Sequence, residues 1–280
     1  MKKILVPTDF SSDADNALDF AIKFNEKYNA EIVLMHVLEL PAASVNYGAD
    51  MTSATAEVIY RRELIDGISK NLHKRADKVR ASGQEAAIRI EYGSPYKSIG
   101  EEVKEERADW VILGSRGASG LKEVFVGSNA EKVIRHSKCP VITIQEPADL
   151  EAMTNLVYAS DMRPEGDSVA QQVKEFQKMF DLKVHLVKVK TPYNFISDEV
   201  ARKEMAEFVK RNDMADFTTN VVEAEFADQG VVEFAEGIHA GMIAMGTHGR
   251  TGIAHFLGGS QAEDVANHAA IPVLTFRIGS

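Results

Sequence analysis

The feature that most restricts the fold of this chain is an internal repeat: one order of elements runs through the first half and then starts again. Lys3–Val6 is a short apolar run that reads as a buried strand, and Ala14, Ala17, Leu18, Ala21 and Ile22 follow it at helical spacing. Glu31–Leu38 is a second strand, and a charged helical stretch runs from about Ala56 to Arg80. Ala86–Tyr92 is a strand, Ile99–Glu106 a helix, Trp110–Leu113 a strand, Ala130–His136 a helix and Val141–Ile144 a last strand. The order restarts with strand Asn155–Ala159 and helix Ser168–Phe180. Lys183–Val189, Glu199–Asn212, Thr219–Ala224, Gly230–Glu236, Met242–Met245, Ala262–His268 and Val273–Phe276 then alternate strand and helix. Matching elements lie 152 positions apart at the first strands and 132 apart at the later ones, so the second copy is shorter between its second strand and its fourth. Strands alternating with helices predict parallel sheets covered on both faces. With 280 residues there is room for two domains of ordinary size, divided in the polar stretch Glu146–Asp149 into residues 1–147 and 148–280.

A glycine spacing recurs within this repeat. Gly114-Ser115-Arg116-Gly117 follows the strand ending at Leu113, with Gly127-Ser128 nine residues on. Gly246-Thr247-His248-Gly249 follows the strand ending at Met245, with Gly259-Ser260 nine residues on. Both read G-x2-G-x9-G-S and end where a helix begins. Glycine permits positive φ and close backbone approach to a ligand. A helix N-terminus offers unpaired N–H groups to an anion. Ser128-Asn129-Ala130-Glu131 and Ser260-Gln261-Ala262-Glu263 also read as capping boxes, which would account for serine and glutamate without a ligand. Capping does not account for three glycines at the same spacing in two diverged copies, so the spacing favours phosphate binding.

On these residues the chain resembles the universal stress protein family, in its ATP-binding branch, over nearly its whole length and twice. Supporting matches are Ile4–Asp9, Met35-His36-Val37, Ala108-Asp109 and Cys139–Ile144. The resemblance implies two tandem Rossmann-like domains of the adenine nucleotide alpha hydrolase-like type, each a mainly parallel five-stranded sheet with helices on both faces. It implies ATP or another adenine nucleotide as ligand, with magnesium or manganese offsetting phosphate charge. Pro7, Thr8, Asp9, Val37 and Leu113 would meet base and ribose. Gly114, Arg116, Gly117, Gly127, Ser128, Asn129 and Ala130 would cradle the phosphates. The second half offers Ala159, Ser160, Asp161, Val189 and Met245 for the former, and Gly246, His248, Gly249, Gly259, Ser260, Gln261 and Ala262 for the latter. It departs from the first in lacking the proline before its aspartate and in carrying Lys188 where His36 stands. Ala130 and Ala262 occupy places where the family often has a hydroxyl.

Other residues restrict function mainly by exclusion. A net charge of −10 argues against nucleic acid or an anionic membrane as partner. One cysteine, Cys139, fits a reducing, cytoplasmic setting and reads as a small core residue. The apolar N-terminal run is cut short by Pro7 and Asp9, so it does not read as a secretory signal. His239, His248, His255 and His268 match no metal spacing, so no metal site of the protein's own is expected. Asp9 and Asp161 in isolation would be turn or cap residues, and Arg116, His248 and Arg250 read equally as solvated loop charges or phosphate contacts. No P-loop lysine, nucleophile elbow or general base accompanies the turns, so a regulatory nucleotide-binding protein is favoured over a hydrolase. Slow ATP hydrolysis and a dimerisation adaptor with vestigial sites are the alternatives. The last strand of each half, Val141–Ile144 and Val273–Phe276, is an apolar edge, and pairing one with the other across an approximate two-fold axis would cover both. Association of whole chains into a homodimer is compatible with the sequence, though no residue signals it.

Overall fold

A computed structural model describes residues 2–39, 51–105, 108–116, 127–194, 196–247 and 261–279, with side chains in 51–81 described from residue 59 onward. The first half runs β1 (Lys3–Pro7), α1 (Ser12–Tyr28), β2 (Glu31–Leu38), α2 (Met51–Ala81), β3 (Ala86–Tyr92), α3 (Pro95–Glu105), β4 (Trp110–Gly114), α4 (Ser128–His136) and β5 (Val141–Ile144). The second runs β6 (Asn155–Ala159), α5 (Asp167–Phe180), β7 (Lys183–Lys190), α6 (Asp198–Asn212), β8 (Phe217–Glu223), α7 (Ala227–Gly237), β9 (Met242–Thr247), α8 (Gln261–His268) and β10 (Val273–Arg277). A 3-10 turn over Pro164–Gly166 precedes α5 and breaks the otherwise parallel course of the two copies.

The ten strands of the described residues form one sheet in the order β3-β2-β1-β4-β5-β10-β9-β6-β7-β8. Pairing is parallel within each half and antiparallel only between β5 and β10. The central strands are apolar along their length because helices cover both faces: Ile4, Leu5 and Val6 of β1 and Leu156, Val157 and Tyr158 of β6 are buried. The outermost strands are half-buried and mix charge with apolar residues, as Arg89 and Glu91 do in β3, which discourages further edge pairing.

The seam is built symmetrically. Leu274 lies opposite Ile142, with Val273 opposite Thr143 and Thr275 opposite Val141. Thr143 Oγ1 donates to the Val273 carbonyl and Thr275 Oγ1 to the Val141 carbonyl, both at 3.3 Å. On one face an aromatic group spans both halves: Phe24 of α1 packs on Phe176 and Phe180 of α5, and Trp110 of β4 on Phe176 and Phe276. On the other face Arg135 of α4 forms a bidentate pair with Glu263 of α8, Nε to Oε1 being 2.7 Å. Both apolar cores contain residues of both halves, so the seam runs through the middle of the packed interior.

Candidate nucleotide site

Within each half the strand order reverses direction next to the first strand, between β1 and β4 and between β6 and β9. Crevices at such points, beyond the carboxyl ends of the strands, are where open α/β sheets bind ligands. The topology therefore brings together the two motifs picked out separately in the sequence. Leu5 pairs with Val111, so the Pro7-Thr8-Asp9 turn leaves the sheet beside Leu113 and Gly114; Ala159 pairs with Met245 directly.

The turn after the first strand has one construction in both copies. Thr8 Oγ1 accepts from the Phe10 N–H at 3.0 Å and Asp9 Oδ1 from the Ser11 N–H at 3.0 Å. Ser160 Oγ accepts from the Met162 N–H at 3.1 Å and Asp161 Oδ1 from the Arg163 N–H at 3.2 Å. Each hydroxyl and carboxylate folds the chain back on itself, and the next residue, Phe10 or Met162, adopts a left-handed φ of 68°. That conformation is costly for a side chain of this size, so surrounding contacts must hold it. Phe10 stacks on His36 with ring centres 4.6 Å apart, and the Arg75 guanidinium lies 4.8 Å from its centre. His36 Nδ1 donates to the Thr8 carbonyl at 2.8 Å. Arg75 forms a bidentate pair with Asp15, at 2.7 and 2.9 Å. In the second half Arg211 bonds Asp167 at 2.7 Å and the Met162 carbonyl at 3.1 Å. Lys188, in place of His36, donates to the Asp161 carbonyl at 2.9 Å and pairs with Glu204 at 2.7 Å. The aspartates expected to meet the ligand are exposed in both copies.

At Gly114 and Gly246, packing supplies a reason for glycine that the sequence did not offer. Gly114 is glycine because a Cβ there would lie 2.7 Å from the Asp13 backbone carbon and 2.8 Å from the Ala14 nitrogen: the first turn of α1 lies on it. Gly246 faces side chains instead, with Ile278 at 2.9 Å and Val169 at 3.3 Å. Gly127 has φ −58°, open to any residue. Positive φ is thus not the reason at these three positions. Gly117, His248, Gly249, Arg250, Gly259 and Ser260 lie outside the described residues.

The capping box expected at Ser128 is not formed. Gly127 takes the cap position with no side-chain cap bond, and Ser128 is the first helical residue, exposed at the helix mouth with Asn129 half-buried beside it. At α1, by contrast, Ser11 is a true cap, its Oγ accepting from the Ala14 N–H at 3.3 Å. The turn is tied down by the Gly127 N–H donating to the Ser115 carbonyl at 2.7 Å, while the buried Ser115 hydroxyl has no partner among the described residues. Arg116 is half-buried and paired: Nε donates to Asp13 Oδ2 at 2.8 Å and Nη2 to Glu146 Oε1 at 3.1 Å. Val37 and Val189 are partly buried against the core on the α3 and α7 side, and Gly230 of α7 packs close to Val189. Ala130 and Ala262 are buried, and Gln261 is exposed at the start of α8. Cys139 is half-buried, its thiol pushed up to about 11 by burial, which suits the core reading and not a nucleophile. Among the described residues no cluster of three or more metal-ligating side chains occurs, and no helix is long and apolar enough to cross a membrane.

The model of the universal stress protein family matches residues 1–145 and again 153–277. Universal stress protein Slr1230 of Synechocystis is 26% identical over 293 aligned positions that cover 99% of this chain and 100% of that one. Universal stress protein YxiE of Bacillus subtilis is 31% identical over 152 positions, 51% of this chain and 98% of its own length. Among solved structures, a universal stress protein from Archaeoglobus fulgidus superposes with a TM-score of 0.76 at 22% identity, covering 99% of this chain and 98% of that one, a likeness that speaks for the fold. The doubled match, the parallel sheets and the repeated turn together make this chain a member of the universal stress protein family, carrying two copies of its domain in tandem.

Proposed function

We propose that the chain binds an adenine nucleotide in the crevice at each strand-order reversal and acts as a regulatory protein whose nucleotide state alters its association with partners. One observation carries this reading. At the end of β4, beside the Asp9 turn, the N-terminus of α4 opens without a side-chain cap, and Ser128 stands exposed at its mouth. An uncapped helix start that presents backbone N–H groups beside a hydroxyl suits a phosphate. The exposed carboxylate of Asp9 suits ribose hydroxyls, and Val37 and Leu113 supply apolar surface for a base. Asp161, Val189 and Met245 offer the same in the second half. Arg116, tied to Asp13 and Glu146, holds the turn in place and is not assigned a phosphate. Magnesium or manganese strengthens ATP binding by neutralising phosphate charge in a protein of net charge −10.

The domain boundary belongs between residues 147 and 148, inside the stretch that separates the two family matches. The antiparallel β5–β10 pairing supports reading the two halves as the counterparts of two subunits, with the covalent link raising their effective concentration. Isothermal titration with ATP and ADP tests the reading. Binding near two per chain is expected, with Gly117→Val and Gly249→Val each removing one site while circular dichroism stays native. Absence of binding by both nucleotides would refute it.

A further inference from the structure

We propose that the first half carries a second ligand site, separate from the nucleotide crevice, in a pocket between α3 and α4 that takes a small organic anion: a carboxylate on an apolar body. The pocket has a volume of about 80 Å³ and lies at the carboxyl end of α4, whereas the nucleotide crevice lies at the helix's amino end, ~13 Å away along nine residues. Lys104, His136 and Lys138 line it together with Tyr96, whose ring lies 5.5 Å from that of His136. Val103 and Val133 are the buried apolar wall behind them. Gly100 opens the floor, because a Cβ there would meet nothing within 4 Å. On this measure about 10–15 Å³ holds one water, so a space of about 80 Å³ admits a small organic molecule.

The second half supplies a comparison built on the same frame. From α3 onward the copies align with a constant offset of 132, which carries Tyr96 onto Asp228, Gly100 onto Val232, Lys104 onto Glu236, His136 onto His268 and Lys138 onto Ala270. There Asp228 Oδ2 lies 3.0 Å from His268 Nδ1 and bridges the two helices, and Val232 is buried where Gly100 leaves space. Lys104 thus has the opposite charge, Glu236, as its counterpart, Lys138 has the neutral Ala270, and the neutral Tyr96 has Asp228. Lysines that end two helices also offset the C-terminal dipoles, but that role needs no open floor and no aromatic wall. Small-molecule sites combine an apolar lining with a few placed polar groups, and here Val103, Val133 and Ile99 supply the former and Lys104, His136 and Lys138 the latter. In a chain with 42 acidic and 32 basic residues, such a local excess of positive charge is what an anion needs.

The test is a titration of the full chain with benzoate, followed by amide NMR shifts, with inorganic phosphate as a second arm. Saturable shifts at Gly100, Val103 and Ser137 are expected with benzoate, and phosphate should be at least tenfold weaker for want of an apolar body. Gly100→Val and Lys104→Glu, which install the second copy's residues, should each weaken benzoate tenfold or more and leave ATP affinity unchanged. Lys104 is exposed, so its variant carries the test should the valine disturb folding. No saturable shift, equal response to phosphate, or shifts that survive Lys104→Glu would each overturn the proposal.

Discussion

Substituting alanine at the first glycine of each motif separates packing from ligand contact. At Gly114 the added methyl would sit 2.7 Å from the Asp13 backbone carbon and 2.8 Å from the Ala14 nitrogen. Carbon atoms rest at about 3.5–4.0 Å, so roughly 1 Å must be found by moving the first turn of α1 off the sheet. That turn is anchored by the Ser11 cap and by Asp13, which holds Arg116, so it yields poorly. Overpacking of this kind costs about 1–3 kcal/mol, and loss of glycine's unfolded-state freedom returns only about 0.4–1 kcal/mol. The mid-range net loss of about 1.3 kcal/mol, at about 2–4 °C per kcal/mol for a chain of this size, makes Gly114→Ala lower Tm by roughly 3–5 °C. At Gly246 the nearest atoms belong to the Ile278 side chain, at 2.9 Å. A rotamer change there relieves the clash, so Gly246→Ala should lie within about 1 kcal/mol of the parent. Paired thermal melts and urea titrations decide between them. Equal destabilisation of the two variants, or none in Gly114→Ala, would refute the account of why Gly114 is glycine.

Arg135→Ala strands the Glu263 carboxylate, whose side chain is 6% exposed, at the contact between α4 and α8; a loss of about 1–3 kcal/mol is expected by urea denaturation. The double change Thr143→Lys with Thr275→Lys buries two charges in the seam and removes both hydroxyl bonds. It should open the linker near Pro147 to limited proteolysis, and an unchanged digest would count against the seam as the main tie. Glu102 is buried, its Oε1 making no hydrogen bond but lying 3.6 Å from Arg89 Nε, and burial outweighs that cation and raises its carboxyl above the ordinary 4.5. A raised folded-state value means that the folded chain holds this proton more tightly, so stability from this group falls as pH rises through and beyond 4.5. Glu102→Gln should therefore gain on the parent as pH goes from about 4 to 7, and an advantage that does not change with pH would refute this reading.

Much of the fold was legible because apolar runs bounded by polar residues leave little choice of register. Glu31–Leu38, Ala86–Tyr92, Val141–Ile144 and Asn155–Ala159 form strands over those same residues. Helix starts were less legible. The helices α3 and α7 begin at Pro95 and Ala227, ahead of the apolar positions at Ile99 and Gly230 from which periodicity is read, because a first turn is polar and proline suits its opening. The glycine spacing found the right strand ends, but its physical reason at Gly114 is a helix lying on the chain, which no local pattern encodes. The supports of the Asp9 turn were hidden for a similar reason. Asp15 and Arg75 are 60 positions apart, Asp167 and Arg211 are 44 apart, and only the packing of one helix on the next brings them together. Phe10 and Met162 share no chemistry, so nothing marks them as the same left-handed residue until the backbone is seen.

Because β5 and β10 run antiparallel while every other neighbouring pair runs parallel, all strands of one half point opposite to those of the other. The carboxyl ends of β1 and β4 therefore emerge at one rim of the sheet, and those of β6 and β9 at the opposite rim. The chain has two mouths facing away from each other, with the full length of the strands between them. A ligand in one cannot touch a ligand in the other, and a rigid partner seated at one rim leaves the far rim uncovered. The halves touch across the seam through Thr143, Thr275, the Arg135–Glu263 pair and the Phe24–Trp110–Phe176–Phe276 aromatic group, so any coupling between the mouths crosses these contacts. A single strand pairing thus sets the two rims, and whatever each would bind, on opposite sides of the chain.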